Sequence, residues 1–288
     1  MAIDWYKKGL ELLSIGQDDE AVACFDRAIE IQPDHVEAWL HKGDALAHAR
    51  RNMDALACYD KALEIDGAFA HAWLRKGELM GRLGRRDEEM SCYDRACDVA
   101  PGLAEPWRSR GAAMDRLRKF EDAVACYEKA IEIDPSDAKS WCGKARALRS
   151  LRRFDEAVEC YNRAAQAAPG DPAVWLARGS LMITLNRLEE AVECFDRATE
   201  IDPLNAEAWK SKGTALAKLE RYEKEIACYD RAIEINPRDT SALSSKGSTL
   251  MILGRIEEAL ECFEQAHRLG HADAASVIER CRREMKEK

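Results

Sequence analysis

Three side chains on one predicted helix carry donor types that suit zinc. His41, Asp44 and His48 lie at i, i+3 and i+7, and His71 follows farther along. The spacing argues against a metal, because seven residues of helix rise about 10 Å along the axis, too far for two ligands of one ion. Eleven cysteines offer a second chemistry. Eight of them, Cys24, Cys58, Cys92, Cys126, Cys160, Cys194, Cys228 and Cys262, recur at one spacing of 34. A disulfide needs Cα atoms within about 7 Å, which positions a full period apart do not reach. No CxxC occurs, so the thiols read as small packing residues of a reducing compartment. There is no Gly-rich phosphate loop, no G-x-S-x-G and no H-E-x-x-H. The expectation is a chain that is not an enzyme and needs no metal or cofactor.

The composition fits a helical, water-exposed chain. Of 288 residues, 47% are hydrophobic and 34% charged, with only 8 Pro and 16 Gly. A net charge of −9 does not favour nucleic-acid binding. No apolar run approaches the ~18 residues of a membrane span. Asp4, Lys7, Lys8 and Glu11 interrupt the first residues, unlike a secretory leader, so a cytoplasmic location is expected.

The period of 34 organises everything else. Tryptophan recurs at 5, 39, 73, 107, 141, 175 and 209, with Leu243 in the eighth place. Four residues later stands Gly9, Gly43, Gly77, Gly111, Ala145, Gly179, Gly213 or Gly247. A Tyr or Phe recurs from Phe25 to Phe263, an Ala follows three later, and Pro closes six of the eight units. Trp39, Gly43, Leu46 and Ala49 share one helical face, and Ala55, Tyr59 and Ala62 share another, with Arg50–Asn52 as the turn between them. Asp137, Asp171, Asn205 and Asp239 stand where a first helix would be capped. Acidic pairs such as Glu189–Glu190 open the second helices, where they offset the positive end of the helix dipole. Small residues let helices approach closely, and the large aromatics are expected to fill the gaps between them.

This pattern resembles the tetratricopeptide repeat family, whose W-x2-L-G-x2-Y…A-x3-F…P signature maps onto each unit. The resemblance implies an all-α, right-handed solenoid of eight repeats over 2–35, 36–69, 70–103, 104–137, 138–171, 172–205, 206–239 and 240–273. A capping helix over 274–288 would follow, with Val277, Ile278, Cys281 and Met285 inward and Arg280, Arg282, Arg283, Lys286 and Lys288 outward. The sequence departs from the family systematically: Lys or Arg replaces the Leu before the Gly at 8, 42, 76, 110, 144, 178, 212 and 246. A long basic side chain can cover apolar surface with its stem while its charge reaches water, so this column reads as structural.

The resemblance also implies a concave groove lined by the first helices, which would receive a peptide or protein segment. Its middle repeats supply Arg75, Arg82, Arg108, Arg116, Lys139, Arg146 and Arg149 against Glu78, Glu105 and Asp115. Lys210 and Lys218 follow, among hydroxyls at Ser211, Thr214, Ser241, Ser244, Ser245 and Ser248. Arginine's planar fork suits carboxylates, so an acidic segment is one expected ligand; pairing with the interspersed acids is the other reading. The family's chaperone-tail clamp is not reproduced by any consecutive triplet of repeats. A second function is open. Ile3, Tyr6, Leu10 and Leu13 form an apolar stripe on the first helix, away from Trp5, through which copies could self-associate.

Overall fold

The structure, a computed structural model, describes residues 1–271 and 273–285. Every regular element among them is a helix. The repeats appear as helix pairs: α1 (Ala2–Ser14) with α2 (Asp18–Ile31), α3 (Val36–His48) with α4 (Asn52–Ile65), α5 (Ala70–Arg82) with α6 (Arg86–Val99), and α7 (Ala104–Arg116) with α8 (Phe120–Ile133). The fifth repeat comprises α9 (Ala138–Ser150) and α10 (Phe154–Ala167). Then come α11 (Pro172–Thr184) with α12 (Leu188–Ile201), α13 (Ala206–Lys218) with α14 (Tyr222–Ile235), α15 (Thr240–Ile252) with α16 (Ile256–Arg268), and a last helix α17 (Ala274–Glu284). The chain divides into two compact units, one of residues 1–153 and one from Phe154 onward. In each, paired helices pack against each other and against the next pair.

Local chemistry sets the boundaries. Asp137, Asp171, Asn205 and Asp239 accept hydrogen bonds from the first free amides of α9, α11, α13 and α15, at 3.1, 2.9, 3.0 and 3.0 Å. The turn inside the second repeat is Ala49–Arg51, because Asn52 already opens α4. A residue with positive φ reverses the chain at this place in all eight repeats. It is Gly at 16, 84 and 254, but Arg50, Arg118, Arg152, Asn186 and Glu220 elsewhere.

The core repeats with the sequence. Tyr59, Tyr127, Phe25 and Phe195 are fully enclosed, each ring lying against the small residue of its hairpin's first helix. A Cβ at Gly43 would run into the ring of Tyr59, so this place is kept small. The eight periodic cysteines are all buried. Burial pushes the thiols of Cys58, Cys92, Cys194 and Cys228 up to about 11.

The tryptophans depart from expectation. They do not fill the interior; Trp5 is exposed and the other six are half-buried. The indole N–H of Trp39, Trp73, Trp107, Trp141, Trp175 and Trp209 donates to the carbonyl oxygen six residues earlier, at Pro33, Gly67, Pro101, Pro135, Pro169 and Pro203. The basic column closes the same junction. Lys42, Lys76, Arg110 and Lys212 lie over the rings of Trp39, Trp73, Trp107 and Trp209, and reach Asp26, Asp60, Asp94 and Asp196 on the preceding second helix at 2.6–2.8 Å. At these four places the column forms rungs between successive repeats. At the end of the chain, Ile278 and Cys281 of α17 are buried against Ile256, Ala259 and Phe263, and Arg282 reaches Glu264 at 2.7 Å. Met285 is exposed, and Lys286 and Lys288 lie outside the described residues.

Candidate functional site

The first helices of the first four repeats, α1 through Leu13 alone, line a cleft of about 750 Å³ in the first unit with residues from α4 and α6. Asp44 and His48 come from α3, Arg75, Glu78, Gly81 and Arg82 from α5, and Arg116 from α7. Tyr59 and Tyr93 supply its aromatic lining and Glu89 a carboxylate. The walls are cross-linked. Tyr59 donates to Asp44 Oδ1 at 2.9 Å, and the His41 ring lies 3.2 Å from Asp44 Oδ2. Arg75 pairs with Glu78 at 3.0 Å and approaches Asp44 at 3.8 Å. Burial, reinforced by Asp44, pushes the Tyr59 phenol far above its ordinary value, so it stays a donor.

Arg116 reaches across to Glu89, a buried carboxylate where six other repeats carry Ala. Gly81 makes room for it, since a Cβ there would lie 2.5 Å from Glu89 Oε1. The two positions should therefore be coupled. Gly81→Ala is expected to be more favourable in a Glu89→Ala background than in the native chain, by about 0.5–3 kcal/mol. Urea unfolding of the two single variants and the double variant measures this, and additive effects would refute the packing argument.

Of the basic residues expected in the groove, the cleft gathers Arg75, Arg82 and Arg116. Arg108, Lys139, Arg146 and Arg149 stand outside it on α7 and α9, and Lys210 and Lys218 on α13. Arg108, Arg146 and Lys210 have partners within the fold. Arg108 pairs with Asp137 at 2.8 Å, Arg146 with Asp115 at 2.7 Å, and Lys210 with Glu207 at 2.7 Å and Asp239 at 3.2 Å. Burial works against the Asp137 charge, yet hydrogen bonds from Ser140 and Arg108 outweigh it and hold the carboxyl below its ordinary range. The basic surplus read from the first helices is thus offset by Asp44, Glu89 and Asp137, which lie outside the third to fifth repeats' groove positions. Arg82 is exposed and has no acid within ion-pair distance among the described residues.

Glu225 is the counterpart of Glu89 in the seventh repeat, and neither stands out from the sequence by its own motif. The signal that could have found them is a broken column: both replace an alanine otherwise held at Ala21, Ala55, Ala123, Ala157, Ala191 and Ala259. Glu225 is buried and accepts from the Thr249 hydroxyl at 2.6 Å, but its second oxygen has no partner. Where the fourth repeat supplies Arg116, the eighth supplies Ile252.

The apolar stripe on α1 is narrower than its sequence suggests. Ile3 is 59% exposed, whereas Tyr6, Leu10 and Leu13 are half-buried and pack with Phe25, Ala21 and Ala45. No group of three metal-ligating side chains is found among the described residues, and no described helix is long and apolar enough to cross a membrane.

No curated protein sequence matches the chain. Among solved structures, yeast Tom70 superposes with a TM-score of 0.62 at 17% identity over 93% of this chain, which spans 61% of that protein. The Cut9 and Hcn1 assembly of the APC/C gives 0.62 at 13% identity, over 92% of this chain and 52% of the other. YrrB, described as a TPR protein with an unusual peptide-binding site, gives 0.50 at 22% identity, over 65% of this chain and 97% of its own. These likenesses concern the fold. Profiles of the tetratricopeptide repeat match residues 6–68, 70–102, 112–172, 176–240 and 240–269. With nearly all of its length matched, the chain belongs to the tetratricopeptide repeat family.

Proposed function

We propose that this protein is a non-catalytic adaptor that holds an extended segment of another protein in the cleft of α3, α5 and α7. The observation that carries this reading is the cleft itself: about 750 Å³, open, and walled by side chains already fixed through Tyr59–Asp44, Arg75–Glu78 and Arg116–Glu89. Such walls are ordered before a ligand arrives, which lowers the entropic cost of binding. Arg82 is the cation left to meet a carboxylate of the segment, so an acidic residue in the ligand is part of the proposal. YrrB, built from the same type of repeat, is described as having a peptide-binding site, which supports the class of ligand. Self-association through α1 has less to draw on, because three of the four stripe residues already pack within the first two repeats.

Selection of a displayed random-peptide library against the whole chain tests this. The expected winners carry Asp or Glu, and Arg82→Glu should weaken them about tenfold without moving the melting temperature. No enrichment, or enrichment indifferent to Arg82→Glu, would dispose of the proposal.

A further inference from the structure

A second crevice, in the other unit and between α12, α13 and α14, has a composition that the repeat pattern does not call for. It measures about 560 Å³ and is lined by Trp209, Leu216 and Val192, with Lys212, Arg221, Lys224 and Arg231 around them. The same crevice exists in the second repeat, at about 400 Å³, beside Trp39. There Arg51 directs its guanidinium fork at Asp54, with hydrogen bonds of 3.0 and 2.8 Å. This fork recurs: Arg85 holds Glu88, Arg187 holds Glu190 and Arg255 holds Glu258, each through two bonds of 2.6–2.7 Å.

The carboxylate in question is the third residue of the second helix. It is Glu20, Asp54, Glu88, Asp122, Glu156, Glu190 and Glu258 in seven repeats, and Lys224 in the seventh. The exchange is unfavourable for the fold in two ways. A cation in the first turn of α14 opposes the helix dipole. It also stands three residues from Arg221, a like-charge pair on one helix face. Arg221 keeps only a 3.4 Å approach to the exposed Glu189, and no acid lies within ion-pair distance of Lys224 among the described residues. The other two cations are matched, Lys212 by Asp196 and Arg231 by Glu234.

We propose that this crevice is a second docking site, where a partner protein supplies in trans the carboxylate that the other seven repeats carry themselves. The chain's own geometry defines the ligand group: a Glu or Asp side chain held by the Arg221 fork and Lys224, next to an apolar side chain that packs on Trp209, Leu216 and Val192. Two cations side by side add a charge-assisted bond that the single fork at Arg51, Arg85, Arg187 or Arg255 lacks.

The test uses the full chain labelled with 15N at its tryptophan indoles, the Trp209 signal being assigned with a Trp209→Phe variant. The probe is the capped peptide acetyl-Ala-Leu-Glu-Glu-Leu-Ala-amide, with the Gln-Gln peptide and inorganic phosphate as controls. A saturable shift of the Trp209 signal is expected with the Glu peptide alone. Lys224→Glu, which restores the common pattern at an exposed position, should weaken that binding about tenfold while helicity and melting are retained. Asp54→Lys should create the same response at Trp39. No saturable shift at Trp209, an equal response from the Gln peptide, or unchanged binding in Lys224→Glu would overturn the proposal. A response to phosphate matching that of the Glu peptide would overturn its assignment to carboxylates.

Discussion

Phe195→Ala should destabilise the sixth hairpin by about 3–5 kcal/mol, the usual cost of emptying a fully buried aromatic site. The ring is completely enclosed, and it lies so close to Gly179 that a Cβ there would be 2.6 Å from it. The neighbouring backbone therefore has no side chain with which to fill the space. What distinguishes a repeat protein is where this loss appears. Each hairpin draws its stability from itself and from its direct neighbours, so the damage should be confined. Native-state hydrogen exchange should show amides of α11 and α12 opening first, with α1 to α4 keeping their protection. A uniform loss of protection along the chain would show that it unfolds as one block instead.

A second substitution should act in the opposite direction. Glu225→Ala is expected to raise stability at neutral pH by about 1–3 kcal/mol, the cost of an unsatisfied buried polar group. Burial raises the Glu225 carboxyl above its ordinary value of 4.5, and the Thr249 hydroxyl offsets only part of that. A raised carboxyl is protonated more readily in the folded chain than in the unfolded one. Its presence therefore weakens the native state as pH climbs from 4.5 through the folded value, and ceases to do so below 4.5. The advantage of the alanine variant should be largest above that window and shrink toward about pH 4. Urea midpoints for both chains at about pH 7.5 and pH 4 check it; an advantage that does not change with pH would mean that the buried charge is not its source. Alanine at this place in six repeats shows that the backbone accommodates the smaller residue.

The features legible in the sequence are those set by short-range periodicity. The Trp, Gly and Tyr/Phe columns state which face of each helix meets another, and the caps at Asp137, Asp171, Asn205 and Asp239 fall where a free amide needs an acceptor. The family followed from the same columns. The charge of the candidate site was harder to read, because some acids that meet its cations lie outside the first helices of the third to fifth repeats. Glu89 projects from α6, and Asp137 serves at once as a cap and as the partner of Arg108. An ion pair between residues 27 or 29 positions apart leaves no periodic mark. The tryptophans misled for a related reason: a large aromatic suggests burial, but the indole N–H needs an acceptor, and the carbonyl that serves it lies at the half-exposed junction between repeats. Glu89, Lys224 and Glu225 become visible only when the repeats are laid over one another and their exceptions are read as information.

The buried cysteines have a practical meaning for the chain's motions. Alkylating reagents attack a thiolate, and a thiol that is enclosed and pushed up to about 11, as in Cys58, Cys92, Cys194 and Cys228, presents almost none. Modification of such a sulfur has to wait until its own hairpin opens. Because one buried cysteine stands in every repeat, 34 residues from the next, the rate of alkylation at each becomes a local clock. Read together by mass spectrometry, the eight clocks would time the breathing of the array from one end to the other without any engineered probe.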